Sequence, residues 1–297
     1  MKLKSALILS LLGLASLLAG CATIARREIL PGSFRKPPEN IVQPSPRYEL
    51  VPLRTKDGTK IMAQFGTALD AKGEPLATPE HRPTVLFFYG NRMCIAGSQD
   101  IFEHFRRTGV NVLIPDYPGY AMSEGSSSEE GCYATADAAY DYLMHRDDLD
   151  HNQIVLAGLS IGSGPAVDLA SRERVAGLIL IVPISSTRAV GYDDYDLSWY
   201  LRWAVPLLTP YVAFDNLAKI PRVPCPILFI QAKKDHVTPT RRSDELASAA
   251  TAKMVRVVVD ADHESAWQAG RKEIQNWLHT TFPSSNGASG VTGAPPL

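Results

Sequence analysis

One serine of the sequence stands in a setting that is typical of an attacking nucleophile. Ser160 is the centre of the pentapeptide GLSIG, Gly158 to Gly162, which fits the G-x-S-x-G pattern of a sharp turn between a strand and a helix. Such a turn strains the serine backbone, and its small flanking residues let the strand and the helix approach. A serine hydroxyl is a weak nucleophile until a base takes its proton. The pattern therefore predicts covalent chemistry only if a base and an orienting acid lie near Ser160.

The elements that must position these groups are predicted from runs of apolar residues. Six runs are apolar throughout, as in strands that a parallel sheet buries on both faces: 84–89, 110–115, 153–158, 175–182, 225–230 and 254–259. Two earlier runs, 48–54 and 60–66, flank a turn at 56–59 and predict an antiparallel hairpin. Helices are predicted at about 98–108, 132–146, 161–172, 241–250 and 264–280. The alternation favours the α/β class, with a mostly parallel central sheet and helices on both faces.

Candidates for the base and the acid follow the last two predicted strands. Active sites of open α/β sheets lie at the carboxyl ends of the strands. Asp235 comes shortly after the run 225–230, and His263 comes shortly after the run 254–259. We therefore expect His263 to be the base for Ser160 and Asp235 to orient that base.

Neighbouring residues are rivals for these roles. Asp260 and Asp262 lie on the same loop as His263 and rank below Asp235 as the acid. His236 follows Asp235 directly, so we expect it beside the site or in solvent rather than as the base. The alternative interpretation is that Asp235 is an ordinary surface turn residue, since aspartate is common in turns.

The order Ser160, Asp235, His263 along the chain is that of the α/β hydrolases. Over about residues 48–282 the sequence resembles that superfamily, and the resemblance implies the α/β-hydrolase fold. The segment Phe88 to Asn91 stands where the superfamily often carries His-Gly-x, which implies that the Asn91 N–H is one oxyanion donor. The Ile161 N–H, at the start of the helix after Ser160, is the second expected donor.

A second loop resembles that of one branch of the superfamily. Residues Asp116 to Gly125, DYPGYAMSEG, resemble the D-Y-x-G-x-G-x-S-x-G loop of the branch that includes depalmitoylase-like and serine-aminopeptidase-like hydrolases. Ala121 stands where glycine is usual in that branch, and Arg92 stands where a small residue often follows the asparagine. We expect the first departure to matter little, and the second to place a cation beside the oxyanion donors or in water.

The long connection at about 184–224 contains no predicted strand and is expected to form a small helical cap, because an unstructured loop of that length is unusual inside a domain. The connection is rich in aromatic residues, which serve either packing or substrate specificity. If Trp199, Tyr200 and Trp203 lie near the site, their apolar surface predicts a preference for medium acyl chains over acetate.

The N-terminus is predicted to be a targeting segment. Lys2 and Lys4 precede an apolar run from Ala6 to Leu18, the length of a signal-peptide core. The run ends in Leu18-Ala19-Gly20-Cys21, which resembles the bacterial lipobox and implies lipidation of Cys21 after cleavage. The alternative is a plain secretory signal with an incidental cysteine. Ala22, where an aspartate would favour inner-membrane retention, indicates an outer-membrane protein that faces the periplasm.

The remaining chain is divided into a tether, one domain and a tail. Residues 1–20 are the expected signal peptide, 21–46 a Pro-rich tether, 47–282 the hydrolase domain and 283–297 a disordered tail. The formal net charge of −1 gives no basic excess for nucleic-acid binding. No metal-binding or nucleotide-binding motif occurs in the sequence, so no metal and no cofactor are expected.

Three cysteines besides Cys21 remain to be placed. Cys225 begins a buried strand and is expected to be an inert core thiol. Cys94 and Cys132 follow successive strands towards the same edge of the sheet, and an oxidising envelope compartment allows disulfides to persist. A bridge between them is slightly favoured over two free thiols.

These observations predict a lipid-anchored serine hydrolase of the bacterial cell envelope that acts on small-molecule acyl esters or thioesters. The predicted partners are the acyl substrate and, through the anchor, the membrane. Two alternatives stay open: a peptidase of the same fold, and a non-catalytic scaffold that kept the fold.

Overall fold

A mixed sheet of eight strands forms the centre of the protein in the computed structural model, which describes residues 41–193 and 212–283 together with Thr23, Ile29, Leu30 and Gly32. The strands are β1 Glu49–Arg54, β2 Lys60–Gly66, β3 Thr84–Phe88, β4 Asn111–Pro115, β5 Ile154–Leu159, β6 Gly177–Ile181, β7 Ile227–Ala232 and β8 Met254–Val259. Their order across the sheet is β1-β2-β4-β3-β5-β6-β7-β8. The six strands β3 to β8 run parallel to one another, and β2 pairs antiparallel with β1 and β4.

The helices of the described residues connect these strands. They are α1 Gln99–Arg107, α2 Glu129–Met144, α3 Ser163–Ala170, α4 Thr187–Asp193, α5 Asn216–Lys219, α6 Thr240–Ala249, α7 Ala266–Ala269 and α8 Arg271–Thr281. Short 3₁₀ turns lie at Pro79–His81, Ala96–Ser98, His151–Gln153, Ser160–Gly162 and Ile220–Arg222. The predicted α/β alternation is confirmed, and the helix predicted at 264–280 is two helices that meet at Gly270.

Burial of the strands follows their place in the sheet. Every residue of β3, β4, β5, β6 and β7 is buried, as their continuous apolar sequences predict. The same prediction is wrong for β8, where Val255 is 42% and Val258 is 58% exposed. This strand is the edge of the sheet and pairs only with β7, so it lacks a neighbour on its other side.

The hairpin of β1 and β2 has the predicted turn. Gly58 adopts a φ of +88°, a left-handed conformation that glycine reaches without strain. Its N–H donates to the carbonyl of Thr55 over 2.8 Å. The register pairs Arg54 with Lys60 at the turn and Glu49 with Phe65 at the open end.

The direction of strand addition reverses between β3 and β5. The chain goes from β3 outwards to β4, then returns past β3 to place β5 on its other side. Ligand sites of open α/β sheets lie at such a switch point, outside the carboxyl ends of the strands. The loop after β3, which contains Asn91, and the turn after β5, which contains Ser160, therefore open side by side.

The predicted disulfide is absent: Cys94, Cys132 and Cys225 are buried, and none of them forms a disulfide. Helix α2 begins at Glu129 rather than at 132, so Cys132 lies one turn inside the helix instead of at its first position. It is 1% exposed and packed into the core there, which removes the freedom that closure to Cys94 would require. The core-thiol expectation for Cys225 agrees with its burial.

Parts of the predicted domain plan fall outside the described residues. These are the signal peptide with Cys21, the tail beyond 283, and the aromatic residues Trp199, Tyr200 and Trp203 of the predicted cap. Within the predicted tether, Leu30 and Val42 are buried in the core, and the Ser127 hydroxyl donates to the carbonyl of Leu30 over 2.7 Å. In the parts of the chain that are described, no helix is both long and apolar enough to cross a membrane.

Candidate active site

Ser160, His263 and Asp235 meet above the carboxyl ends of β5, β7 and β8. His263 Nε2 lies 2.9 Å from Ser160 Oγ, and His263 Nδ1 lies 2.8 Å from Asp235 Oδ2. Positions separated by 103 and 28 residues along the chain are thus joined in one line of contacts. The Asp235 side chain is fully buried, whereas the His263 side chain is 17% exposed. A substrate can therefore reach the serine end of the line while the acid end stays dry.

The carboxylate of Asp235 is held by its own loop. Its Oδ1 accepts the N–H groups of Val237 and Thr238 over 2.8 and 2.7 Å. Its Oδ2 accepts the Thr238 hydroxyl over 2.8 Å and faces His263 Nδ1. With both oxygens occupied by donors, the burial of Asp235 is compensated, and its orientation towards His263 is fixed.

The rival residues lie away from this line of contacts. Asp260 is exposed and pairs with Lys234 over 2.9 Å, and that contact holds the pKa of Asp260 below its usual value. Asp262 is exposed and accepts the N–H of Ser265 over 2.8 Å, and the contacts with Ser265 lower the pKa of Asp262. His236 is exposed on the loop of Asp235. Asp235 is therefore the carboxylate that the fold brings to His263.

The turn that carries Ser160 has the geometry that its glycines predict. Ser160 has a φ of +53°, a left-handed conformation that is strained for a residue with a side chain. A Cβ on Gly162 would lie 2.1 Å from the carbonyl oxygen of Phe88, and one on Gly158 would lie 2.6 Å from the carbonyl oxygen of Gly162. Both glycines are thus required by close backbone contacts, which raise Ser160 above the sheet.

The two predicted oxyanion donors lie on either side of Ser160. Ile161 follows it in the 3₁₀ turn that leads into α3. On the other side, a Cβ placed on Gly90 would lie 3.5 Å from the Ser160 Cβ and 3.5 Å from the Leu159 carbonyl oxygen. The peptide that carries the Asn91 N–H therefore begins directly against the nucleophile.

Sequence comparison agrees with this architecture. A family model described as alpha/beta hydrolase fold matches residues 83–206. The alpha/beta hydrolase domain-containing protein aho-3 of Caenorhabditis elegans is 34% identical over 160 residues, which cover 54% of this chain and 45% of that protein. Protein 17B of the same description, from Xenopus tropicalis, is 30% identical over 185 residues, 62% of this chain and 58% of that protein. The chain spans about half the length of the curated relatives that it matches.

The structural comparison extends over a larger part of the chain. The esterase Pf2001 of Pyrococcus furiosus superposes with a TM-score of 0.65, covering 83% of this chain and 98% of that one at 16% identity. At that identity the likeness concerns the fold. The chain has the α/β-hydrolase fold.

Three residues that were not predicted from the sequence link the nucleophile turn to the ends of the long connection. Ser163 Oγ donates to the carbonyl of Ser160 over 2.6 Å and accepts the N–H of Ile184 over 3.2 Å. It also accepts Asn216 Nδ2 over 3.0 Å, and the same Nδ2 donates to the Ile184 carbonyl over 2.9 Å. The sequence signal was weak, since Ser163 and Asn216 are ordinary polar residues until the fold buries them together.

Both departures from the loop patterns of the α/β-hydrolase superfamily occur at strained backbone positions. Arg92 has a φ of +64° and Ala121 a φ of +36°, the region that glycine adopts most readily. At Ala121 the side chain costs strain that glycine would avoid, and the expectation that this departure matters little for function stays a prediction. Arg92 is exposed. Non-glycine residues persist in this region only when surrounding contacts hold them there.

The described residues offer no other obvious chemistry. Among them, no group of three or more histidine, cysteine, aspartate or glutamate side chains is placed to hold a metal ion. The arrangement of Ser160, His263 and Asp235 needs none, since a hydroxyl, an imidazole and a carboxylate in line can transfer a proton and form a covalent bond unaided.

Proposed function

We propose that this protein is a serine hydrolase that cleaves carboxylic esters or thioesters through an acyl-enzyme intermediate. The observation that carries the proposal is the line of contacts from Ser160 Oγ through His263 to Asp235, at 2.9 and 2.8 Å. Distances of this size are within reach for proton transfer from the hydroxyl. The α/β-hydrolase fold and the similarity to alpha/beta hydrolase domain-containing proteins support a hydrolase, and the esters and thioesters are the finer part of the proposal.

In the first half of the reaction, His263 Nε2 takes the proton of Ser160 Oγ as that oxygen forms a bond to the acyl carbon. The carbonyl oxygen becomes an oxyanion. His263 then gives the proton to the leaving alcohol or thiol, the bond to the leaving group breaks, and the acyl group stays on Ser160. Asp235 keeps a proton on Nδ1, so that Nε2 is free to act, and stabilises the imidazolium.

In the second half, a water molecule repeats the sequence. His263 takes a proton from the water, whose oxygen attacks the acyl-serine carbonyl, and then returns that proton to Ser160 as the acid leaves. Both halves pass through an oxyanion between the N–H groups of Asn91 and Ile161. One such donor is worth about 10²–10³ in rate, so the backbone around Asn91 counts alongside the side chains.

The experiment is a kinetic comparison of the full chain with three variants on a p-nitrophenyl ester. Ser160→Ala and His263→Ala should each lower kcat by about 10⁴-fold or more, and Asp235→Asn by about 10⁴-fold. All three should keep the thermal unfolding temperature of the parent within a few degrees. Unchanged hydrolysis in Ser160→Ala would end the proposal.

A covalent label separates an enzyme from an inactive scaffold without choosing a substrate. A fluorophosphonate should modify Ser160 in the parent and leave Ser160→Ala and His263→Ala unmodified. Matched panels of acyl esters, acyl thioesters and aminoacyl amides then test the substrate class. Turnover of amides alone would replace the esterase proposal by a peptidase.

We further propose that the protein is anchored to a bacterial membrane through a lipid on Cys21. The support is the sequence Leu18-Ala19-Gly20-Cys21 at the end of an apolar run, where a signal peptidase for lipoproteins cleaves. Ala22 favours the outer membrane, with the domain in the periplasm. Metabolic labelling with an alkyne fatty acid should mark the parent and not Cys21→Ser. Equal labelling of both would contradict the anchor without touching the hydrolase proposal.

A further inference from the structure

The turn that carries Asn91 is short and strained. Residues 90–94 connect the end of β3 to the 3₁₀ turn at Ala96–Ser98, and Arg92, next to Asn91, has a φ of +64°. Its internal hydrogen bond, from the Met93 N–H to the Gly90 carbonyl, is long at 3.4 Å. A bond of this length closes the turn only weakly. The N–H of Asn91 can be a fixed oxyanion donor only if contacts from outside restrain the turn.

One carboxylate oxygen binds both ends of this turn. Asp116 Oδ1 accepts the hydroxyl of Tyr89, the residue before the turn, over 3.0 Å. The same oxygen accepts the N–H of Ile95, the residue after the turn, over 2.9 Å. Asp116 follows β4, which is adjacent to β3 in the sheet. The carboxylate thus closes the turn from the neighbouring strand.

The other oxygen of Asp116 binds the loop that contains the strained residue Ala121. Asp116 Oδ2 accepts the N–H of Met122 over 3.3 Å, and Met122 directly follows Ala121 with its φ of +36°. One side chain therefore receives three hydrogen bonds from two loops, each of which contains a strained residue. A carboxylate can accept all three because both of its oxygens are acceptors.

The connection from Asp116 to the nucleophile passes through Tyr89. The Tyr89 hydroxyl, while donating to Asp116, accepts the N–H of Tyr117 over 3.0 Å, and the Tyr117 hydroxyl donates to the Tyr89 carbonyl over 3.1 Å. All three side chains are buried, and Asp116 itself is 0% exposed. Tyr89 is followed by Gly90, which lies against Ser160. A change at the carboxylate is therefore transmitted directly to the backbone beside the nucleophile.

We propose that Asp116, as a carboxylate, is a positioning residue for catalysis that holds the Asn91 N–H in the geometry an oxyanion requires. It touches neither the substrate nor the triad, and acts only through the turn 90–94. This inference rests on the proposed serine-hydrolase function. It adds a further group that must be in its charged form for the enzyme to work.

Asp116 gains or loses its proton near neutral pH. Burial raises the pKa of Asp116 to about 7, against the lowering effect of its three hydrogen bonds. The titratable groups around it are Tyr89 from the end of β3, Tyr117 and Tyr120 from its own loop, and Cys132 from α2. Burial raises the pKa of Tyr89, Tyr117 and Cys132 well above their usual values, so these three stay neutral.

Protonation of Asp116 conflicts with the donors that surround it. A proton on Oδ2 would face the Met122 N–H, and a proton on Oδ1 would face the Ile95 N–H and the Tyr89 hydroxyl. Either form also removes the negative charge that strengthens all three hydrogen bonds, so the turn 90–94 is held more weakly. The rate should therefore fall at acidic pH in part because Asp116 is protonated.

The test measures log kcat/KM against pH for the full-length protein and Asp116→Asn, with Ser123→Ala as the matched control. The Ser123 hydroxyl donates to the main-chain carbonyl of Asp116 over 3.0 Å, so its loss removes a contact of the same residue without touching the carboxylate. The limiting acidic slope of the parent should be steeper than that of Asp116→Asn by about one, because Asp116 is one further group that must lose a proton. Ser123→Ala should keep the parent's slope.

The size of the effect is that of an oxyanion donor. At pH 8, Asp116→Asn should lower kcat by about 10²-fold or more with KM changed less than about threefold, because the turn affects the transition state more than the bound substrate. A variant with the parent's kcat and slope would overturn the proposal. A lower kcat with an unchanged slope would overturn it as well, since loss of packing alone does that.

Two further variants, Tyr89→Phe and Ser160→Ala, separate the role of Asp116 from misfolding and from failure of the hydrolase proposal. Tyr89→Phe keeps the charge of Asp116 but removes a hydrogen bond that lowers its pKa, so the acidic limb of the profile should move to higher pH. This variant replaces Asp116→Asn if the latter does not fold, and an unmoved limb would overturn the proposal. Ser160→Ala is measured in the same assay: if it retains the parent's activity, the serine-hydrolase proposal itself has failed, whatever Asp116 does.

Discussion

Thr238 donates two hydrogen bonds to Asp235, one from its N–H to Oδ1 over 2.7 Å and one from its hydroxyl to Oδ2 over 2.8 Å. The hydroxyl oxygen also lies 3.2 Å from His263 Nδ1. A buried carboxylate that is held at both oxygens cannot rotate away from its imidazole. Thr238 is therefore the residue that keeps Asp235 and His263 in line, three positions after the acid in the sequence.

Removing the Thr238 hydroxyl should slow catalysis without weakening substrate binding. In Thr238→Val, Asp235 keeps its two N–H donors but loses the hydroxyl donor to Oδ2, a charge-assisted bond worth about 1.5–3 kcal/mol. We expect kcat to fall by about tenfold and KM to stay within about twofold, measured on a p-nitrophenyl ester. Thr238→Ser restores the hydroxyl and should recover most of the rate. Equal rates in Thr238→Val and the parent would show that the hydroxyl does not restrain the acid.

The close approach at Gly162 should not tolerate a methyl group. In Gly162→Ala the new Cβ would lie 2.1 Å from the Phe88 carbonyl oxygen, a main-chain atom of a central strand that cannot move aside. We expect a loss of more than about 3 kcal/mol in the free energy of unfolding, or no soluble protein. Gly97→Ala is the control, because nothing lies within 4 Å of its added Cβ. Its urea unfolding curve should match the parent's. A Gly162→Ala curve that also matched would contradict the close packing of the turn that carries Ser160.

Ser163→Ala should destabilise the protein more than the loss of one hydrogen bond. The hydroxyl of Ser163 accepts from Ile184 N and Asn216 Nδ2, so its removal leaves these buried donors without that acceptor. We expect a loss of about 2–4 kcal/mol in urea unfolding, at about 1–3 kcal/mol for each donor left unsatisfied.

Ser171→Ala provides the comparison for that substitution. The Ser171 hydroxyl also donates to a carbonyl three residues earlier, that of Asp168, over 2.7 Å. It lies at the end of α3 and is partly exposed, so its loss should cost about 1 kcal/mol or less. Equal losses of unfolding free energy in the two variants would mean that the hydrogen bonds between the Ser160 turn and the long connection contribute nothing to stability.

The free energy of unfolding should depend on pH through Asp116. Because burial raises its pKa from 3.8 to about 7, the folded protein holds this proton where the unfolded chain has released it. The stabilisation is fully present below about pH 4 and is lost as the pH rises through 7, on the order of 4 kcal/mol for a pKa change of this size. Asp116→Asn cannot titrate, so between pH 5 and pH 8 its stability should fall less than the parent's.

Urea unfolding of the parent and of Asp116→Asn at pH 5 and pH 8 measures this difference in stability. The contributions of the other titrating groups are the same in both proteins and cancel. Parallel pH curves would contradict a raised pKa at Asp116. The charged form that the proposed chemistry needs is then the less stable one, a conflict between stability and activity that is common at active sites.

The three described cysteines should behave as buried thiols. Burial raises the pKa of Cys225 to about 12 and that of Cys132 well above its usual value. Thiolates, not thiols, react with alkylating reagents, so iodoacetamide should leave Cys132 and Cys225 unmodified in the native protein. Cys94 is 6% exposed and should be protected by its burial. After unfolding without reductant, peptide mapping should find all three alkylated. A linked Cys94–Cys132 peptide would show instead that a bridge forms in the native compartment.

Much of this architecture is readable from local sequence. Strands buried on both faces have continuous apolar sequences, and the six runs mark β3 to β8 to within two or three residues. The G-x-S-x-G turn is recognised from a local pattern, and the close contacts of Gly158 lie within the turn itself, whereas Gly162 is required by the Phe88 carbonyl oxygen at the end of β3. The chain order of Ser160, Asp235 and His263, each just past a strand, was enough to predict which carboxylate and which imidazole would meet.

Other features depend on contacts between distant parts of the chain. The exposure of β8 follows from its place at the edge of the sheet, which its apolar sequence does not encode. The free thiol of Cys132 depends on where α2 begins and what it packs against, because an earlier start moves Cys132 from the end of the helix to a buried position one turn inside it.

The hydrogen-bonded neighbours of the site were also decided by the tertiary structure. Ser163, Thr238 and Asp116 are polar residues of common types, and nothing local shows that they will be buried. Their significance comes from partners on other strands and loops, since a buried polar group must be satisfied by whatever the fold brings to it. The sequence by itself determined the residues that could do the chemistry, and the tertiary structure decided which other residues hold them in place.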